Sequence, residues 1–162
     1  MGVESYLVRL TGHHDVETVG QFLTLGLGAQ PDHQSRPSGN DEYFVLRDGR
    51  HVVEFELAKR GEVCELSIRF AICHPKSIDD VFVSIVTSLI KQLQMTATIC
   101  ELLPVGTPSR YDAVQAAKFA TYCRWSIEHA REQWRRQFGS EEAGVSVSEA
   151  CRKFYFGDKC NS

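Results

Sequence analysis

With 162 residues, 43% of them hydrophobic and 24% charged, the chain holds enough apolar material for one sizeable core, which excludes wholesale disorder. A net charge of -3 gives no general attraction to nucleic acid, and no stretch approaches the roughly 20 apolar residues that span a bilayer. Six cysteines, in a sequence with no charged segment followed by a long apolar run, point to reduced thiols in a cytoplasmic protein rather than to a disulfide framework.

The run Tyr6-Leu7-Val8-Arg9-Leu10 predicts a strand with Tyr6, Val8 and Leu10 inward and Arg9 outward. Asp15 is placed to cap a helix carrying Val16, Val19, Phe22 and Leu23 at three- and four-residue spacing, stopped by Gly26 and Gly28. From Gln30 to Asn40 the sequence is a polar loop rich in Pro, Ser and Gly.

The stretch from Tyr43 to Cys73 reads as a three-stranded meander. Asp48-Gly49 suits a two-residue type I′ turn, in which both central residues take positive φ. That turn would set Val45 against Val52 and Phe44 against Val53. A second turn at Lys59-Arg60-Gly61-Glu62 would set Leu57 against Cys64 and Phe55 against Leu66. Alternation then gathers Phe44, Leu46, Val53, Phe55, Leu57, Cys64, Leu66, Ile68 and Phe70 on one buried face. The other face carries Glu54, Glu56 and Glu65, and this register predicts Glu56 directly across from Glu65, a mildly unfavourable arrangement.

His74-Pro75 ends the extended run. Ser77-Ile78-Asp79-Asp80 opens a helix with Ile78, Val81, Phe82, Ile85, Leu89, Ile90 and Leu93 as its apolar stripe. A strand is expected from about Thr96 to Leu103, its inward set either Ala97, Ile99 and Leu103 or Cys100 and Leu102. Ser109 and Asp112 announce a long helix to about Phe138, with a seam of Ala116, Ala120, Cys123, Ile127, Ala130, Trp134 and Phe138. Ser146 and Glu149 suggest a short final helix ended by Gly157.

The order β-α-β-β-β-α-β-α-α implies an α+β fold: a mainly antiparallel sheet with a central three-stranded meander and helices packed on one face. A ferredoxin-like arrangement with additions, and a βαβ unit at each end, is the expected topology. One domain is expected over 1–162, with its core at about 1–104 and a helical extension at about 108–157.

No catalytic, metal or cofactor motif is present: there is no CxxC, no HExxH and no regularly spaced His/Asp set. His13-His14-Asp15 lacks further ligands nearby, and the adjacent residues Cys73 and His74 would point to opposite sides of a strand, against a working thiol–imidazole pair. No metal and no cofactor are therefore expected. The succession of elements is similar in order to acetyl-CoA-dependent N-acetyltransferases, which implies an acyltransferase-like topology. In this chain the segment corresponding to that family's pyrophosphate-binding turn runs from Cys73 to Asp80. It contains no glycine, Pro75 has no N–H, and Asp79 and Asp80 would repel phosphate.

Two surfaces are candidates for a partner. One is the glutamate-bearing sheet face, Glu54, Glu56 and Glu65. The other is a side of the long helix holding Tyr122, Trp125 and His129, residue types enriched at interfaces. The expected function is a non-catalytic module that binds another, basic protein, in the manner of a bacterial immunity or antitoxin-type protein. An enzyme or small-ligand-binding domain with a diverged acyltransferase-like fold is the alternative, and a homodimer through the long C-terminal helix is a third reading. Neither nucleic acid nor membrane is expected as a partner.

Overall fold

The computed structural model describes residues 5–33, 41–49, 51–72 and 74–138. They form an α+β fold in which a seven-stranded antiparallel sheet is packed on one face by helices. The strands are β1 (Ser5–Gly12), β2 (Gln30–Pro31), β3 (Glu42–Asp48), β4 (His51–Arg60), β5 (Val63–Ala71), β6 (Thr96–Ile99) and β7 (Arg110–Tyr111). Across the sheet their order is β2-β3-β4-β5-β1-β6-β7, with every neighbouring pair antiparallel. The helices are α1 (Val16–Gln21), continued by a π-helical turn over Phe22–Gly26, then α2 (Ile78–Gln92) and α3 (Ala116–Phe138).

The meander forms where the alternation places it, with the expected inward faces. Phe44, Val53, Phe55, Leu57, Cys64, Leu66, Ile68 and Phe70 are all buried. The pairing itself is displaced. Phe44 lies against Phe55 rather than Val53, and Phe55 against Ile68 rather than Leu66. Asp48 pairs with His51 and Arg60 with Val63, so each glycine is the first residue of its loop and not the second. Gly49 has φ 58° and Gly61 φ 64°, while Glu62 keeps a negative φ. In the Gly61-Glu62 loop, positive φ at the first central residue alone is the II′ pattern, which requires glycine there. Each partner thus moves by two residues, and an even shift leaves every side chain on its own face.

Strand β1 inserts between β5 and β6, setting Tyr6 opposite Phe70, Val8 between Ile68 and Ile99, and Leu10 between Leu66 and Ala97. Ala97 and Ile99 are therefore the inward set of β6, which ends at Ile99 instead of reaching Leu103. Because β5 and β6 both run antiparallel to β1, α2 links two parallel strands with β1 between them. The link through α1 leads first to the two-residue β2, which runs parallel to β1 with β3, β4 and β5 between them; β3, the strand expected to complete this βαβ unit, runs antiparallel to β1.

α1 starts where Asp15 accepts a 2.6 Å hydrogen bond from the Thr18 N–H. α2 is apolar over a wider arc than its sheet-facing stripe alone, with Val83 and Val86 buried as well as Ile78, Phe82, Ile85, Leu89 and Ile90, because α3 packs along its flank. Residues 110–111 are a strand, not the first turn of a helix. Asp112 is the capping residue: its carboxylate accepts from the Val114 and Gln115 N–H groups at 3.0 and 3.1 Å, and the Gln115 side chain accepts from the Asp112 N–H. The buried face of α3 comprises Ala116, Phe119, Cys123, Ser126, Ile127, Arg131 and Trp134. The expected final helix lies outside the described residues.

Candidate functional site

The helices contribute to one apolar core together with the inward sheet residues, and none of them lies on the opposite sheet face. Pairing arranges that outward face in rows. One row runs Val45, Glu54, Arg69, Leu7; the next runs Tyr43, Glu56, Ser67, Arg9, Thr98, Arg110; a third runs Ala58, Glu65, Thr11, Thr96. The face is not wholly polar, since Val45, Val52 and Ala58 are buried there.

This register overturns the expected opposition of Glu56 and Glu65. Glu56 faces Ser67, and Glu65 faces Ala58. Glu54 faces Arg69, whose Nε donates to its Oε2 at 2.9 Å. The sheet thereby exchanges a like-charge contact for a cross-strand ion pair, a preference of roughly 0.2–1 kcal/mol in each case. The carboxylates are interleaved with arginines. Arg60 forks onto Asp41 with two 3.0 Å hydrogen bonds, which hold the Asp41 carboxyl below its ordinary range. Glu56 lies near the Tyr43 hydroxyl; burial first, and then this carboxylate, raises the Tyr43 pKa.

Between these groups lies a depression of about 370 Å³ whose lining includes Leu7, Arg9, Glu56, Arg60, Glu65, Ser67 and Arg69. Arg9, Glu65 and Ser67 make no side-chain hydrogen bond or ion pair among the described residues. The carboxylates Glu54, Glu56 and Glu65 were legible from alternation. Arg9 was legible only as outward-facing, and its position beside Ser67 depends on β1 docking against β5, a pairing between residues far apart in the chain.

Tyr122, Trp125 and His129 are on α3, in the layer on the other side of the sheet from the glutamates, so the two candidate surfaces do not form one site. Tyr122 packs against the core with its ring 6.2 Å from Tyr111. Trp125 is 41% exposed and stacks in parallel on the His129 imidazole, 5.1 Å away, while His129 Nε2 lies 3.1 Å from the Gln133 amide nitrogen.

The arginines of α3 are engaged in ion pairs, both within the helix and across to α2. Arg136 pairs with Glu132 one turn back. Arg135 reaches Glu128 at 3.1 Å, where Lys76 also binds, Arg124 reaches Asp80 at 2.9 Å, and Arg131 is wholly buried against Asp79 at 2.7 Å. Salt bridges thus tie α3 to the first turn of α2. The signal for Arg131 was its position four residues beyond Ile127 on the packed seam.

The Ser77 hydroxyl makes no cap and instead meets His51 Nε2 at 2.7 Å. His14 Nε2 contacts the Leu93 carbonyl, and Asp15 is occupied as a cap. Among the described residues no group of three or more His, Cys, Asp or Glu is placed to hold a metal ion, and no helix is long and apolar enough to cross a membrane. Cys64 and Cys123 are buried thiols and Cys100 an exposed one; burial pushes the Cys123 pKa up to about 12. Compared with known proteins, the chain matches no family model, no curated protein and no solved structure.

Proposed function

We propose that the chain is a non-catalytic module that binds another protein through the outward face of its sheet. The observation that carries this reading is the placement of Glu56 and Glu65 on a face on which none of the described helices lies, with Glu65 lacking any ion-pair partner among the described residues. Carboxylates held on a rigid sheet steer a partner that presents basic side chains and fix its register. This is the mode of an immunity or antitoxin-type protein that neutralises a basic partner. The exposed Trp125–His129 stack lies on the other layer, where it suits a separate contact such as pairing of two copies through α3.

The test is affinity capture from the native cell with the tagged chain, compared with a Glu56→Lys/Glu65→Lys variant of unchanged thermal midpoint. A stoichiometric basic protein should be retained by the unsubstituted chain and fall at least tenfold in the variant. Equal retention would exclude this face. A second reading, a small-ligand-binding domain, is favoured by the depression itself, whose volume of about 370 Å³ lies within the usual range of ligand pockets.

A further inference from the structure

We propose that the depression on the outward sheet face binds a small zwitterion, an amino acid or short peptide whose ammonium group meets Glu65 and whose carboxylate meets Arg9. The site shares its face with the protein contact proposed above, but not its test.

The starting point is a pair of opposite charges that do not meet. Arg9 of β1 lies directly across from Ser67 of β5, and Glu65 is two residues along β5 from Ser67. Arg9 and Glu65 are thus diagonal neighbours on one face, with Cα atoms about 7–8 Å apart, well within the joint reach of two such side chains. Diagonal Arg and Glu on an open sheet ordinarily close an ion pair. Here they instead border a depression of about 370 Å³, whose lining also includes Ser67, directly across from Arg9, and the apolar Leu7.

The other charges around the depression are already committed. Arg69 is held by Glu54 at 2.9 Å and Arg60 by both oxygens of Asp41 at 3.0 Å, while Glu56 stands directly across from Tyr43. These fixed pairs form the walls, and they leave one guanidinium and one carboxylate available to a ligand. A guanidinium presents a planar fork that matches a carboxylate with two parallel hydrogen bonds, whereas a carboxylate accepts the compact donors of an ammonium. With charge-assisted bonds of about 2.8 Å on each side, a single amino acid or dipeptide spans the gap above Ser67. A simple anion would satisfy Arg9 but be repelled by Glu65 and Glu56, and a simple cation would meet Arg9 unfavourably. The arrangement therefore selects for both charges in one molecule.

The experiment is a ¹H–¹⁵N chemical-shift titration of the full chain with three probes: alanyl-leucine, its N-acetyl derivative and its C-terminal amide. The free dipeptide should shift the amides of Leu7, Arg9, Glu65 and Ser67, and either capped form should bind at least tenfold more weakly. In Arg9→Gln the dipeptide and its amide should bind alike. In Glu65→Gln the dipeptide and its N-acetyl form should bind alike. Equal binding of all three probes to the unsubstituted chain, tighter binding of a capped form, or no shift on this face would overturn the proposal. The capped probes decide the matter on the unsubstituted chain even where a variant folds poorly, and a failure here leaves protein capture through Glu56 and Glu65 to be judged by its own assay.

Discussion

Arg131 and Asp79 meet inside the seam between α2 and α3, where Arg131 Nη1 donates to Asp79 Oδ2 at 2.7 Å and Nη2 stands 2.7 Å from Oδ1, off the ideal hydrogen-bonding line. Arg131 is 0% exposed and also donates from Nη2 to the His74 carbonyl at 3.4 Å. A charge removed from water this completely is tolerated only while its partner stays in place, because desolvation of either ion alone is uncompensated.

Arg131→Met should therefore destabilise the fold by about 3–5 kcal/mol, as it strands the Asp79 carboxylate. The double variant Arg131→Met/Asp79→Leu should recover most of that loss, since apolar replacement of both partners is often neutral. Urea unfolding of the two variants measures the difference, and equal destabilisation would show that shape and not charge holds the seam.

His74 makes a pH prediction. It is 5% exposed, and its pKa falls from 6.5 to about 4, chiefly by burial and then by repulsion from His51 and Arg131, against a hydrogen bond to the Val52 backbone. Between those values the unfolded chain binds the proton and the native chain does not. Stability from this group is thus complete above pH 6.5 and is lost as pH falls toward about 4, at about 1.4 kcal/mol per pH unit and about 3 kcal/mol in all. His74→Gln should flatten that slope in urea midpoints measured across the window. Asp79, whose own pKa is raised by burial, remains in both proteins and cancels in the comparison.

Backbone conformation gives a pair of opposite effects. Gln94, after the end of α2, has φ 50°, a left-handed position where glycine is the common residue. Gln94→Gly should raise stability by up to about 1 kcal/mol, less whatever the side-chain hydrogen bond to the Lys91 carbonyl contributes. Gly61→Ala, at φ 64° in the β4–β5 turn, should lower stability by about 1–2 kcal/mol. Thermal midpoints moving in the same direction for both would contradict the assigned turn geometry.

The three described thiols should differ in reactivity. Cys100 is exposed, whereas Cys64 and Cys123 are buried; burial raises the pKa of all three, so access separates them. Iodoacetamide labelling of the native protein at pH 8, read by peptide mass spectrometry, should modify Cys100 well before Cys64 or Cys123. Comparable rates at all three would mean that the core opens on the labelling timescale.

Glu54 and Glu65 should respond differently to charge reversal. Glu54→Lys breaks the pair with Arg69 and sets two cations against each other, at a stability loss of up to about 1 kcal/mol. Glu65→Lys touches no existing pair and should leave the unfolding midpoint within about 0.5 kcal/mol of its original value. Denaturant curves distinguish the two.

Much of the fold is written in local patterns. The inward faces of β1, β4 and β5, the helix capped by Asp15 and the span of α2 follow from period-two and period-3.6 spacing, and the structure places them accordingly. The short strands β2 and β7 have no such signature. Two-residue strands are defined by the neighbour they pair with, and Gln30-Pro31 and Arg110-Tyr111 lie in stretches whose own residues favour loops and caps.

The outward face marks the boundary between the two kinds of information. Alternation alone determined that Glu54, Glu56 and Glu65 share one side of the sheet, because side-chain direction in a strand depends only on parity. Which groups they meet was decided by the turns and by the insertion of β1. A glycine at the first loop position moved each pairing by two residues, gave Glu54 to Arg69 and separated Glu56 from Glu65. The docking of β1 then brought Arg9 beside Ser67. Parity survives an even shift, so the sequence could assign the faces. Pairing depends on loop geometry and on contacts between distant segments, so only the tertiary structure could assemble the charges into a site.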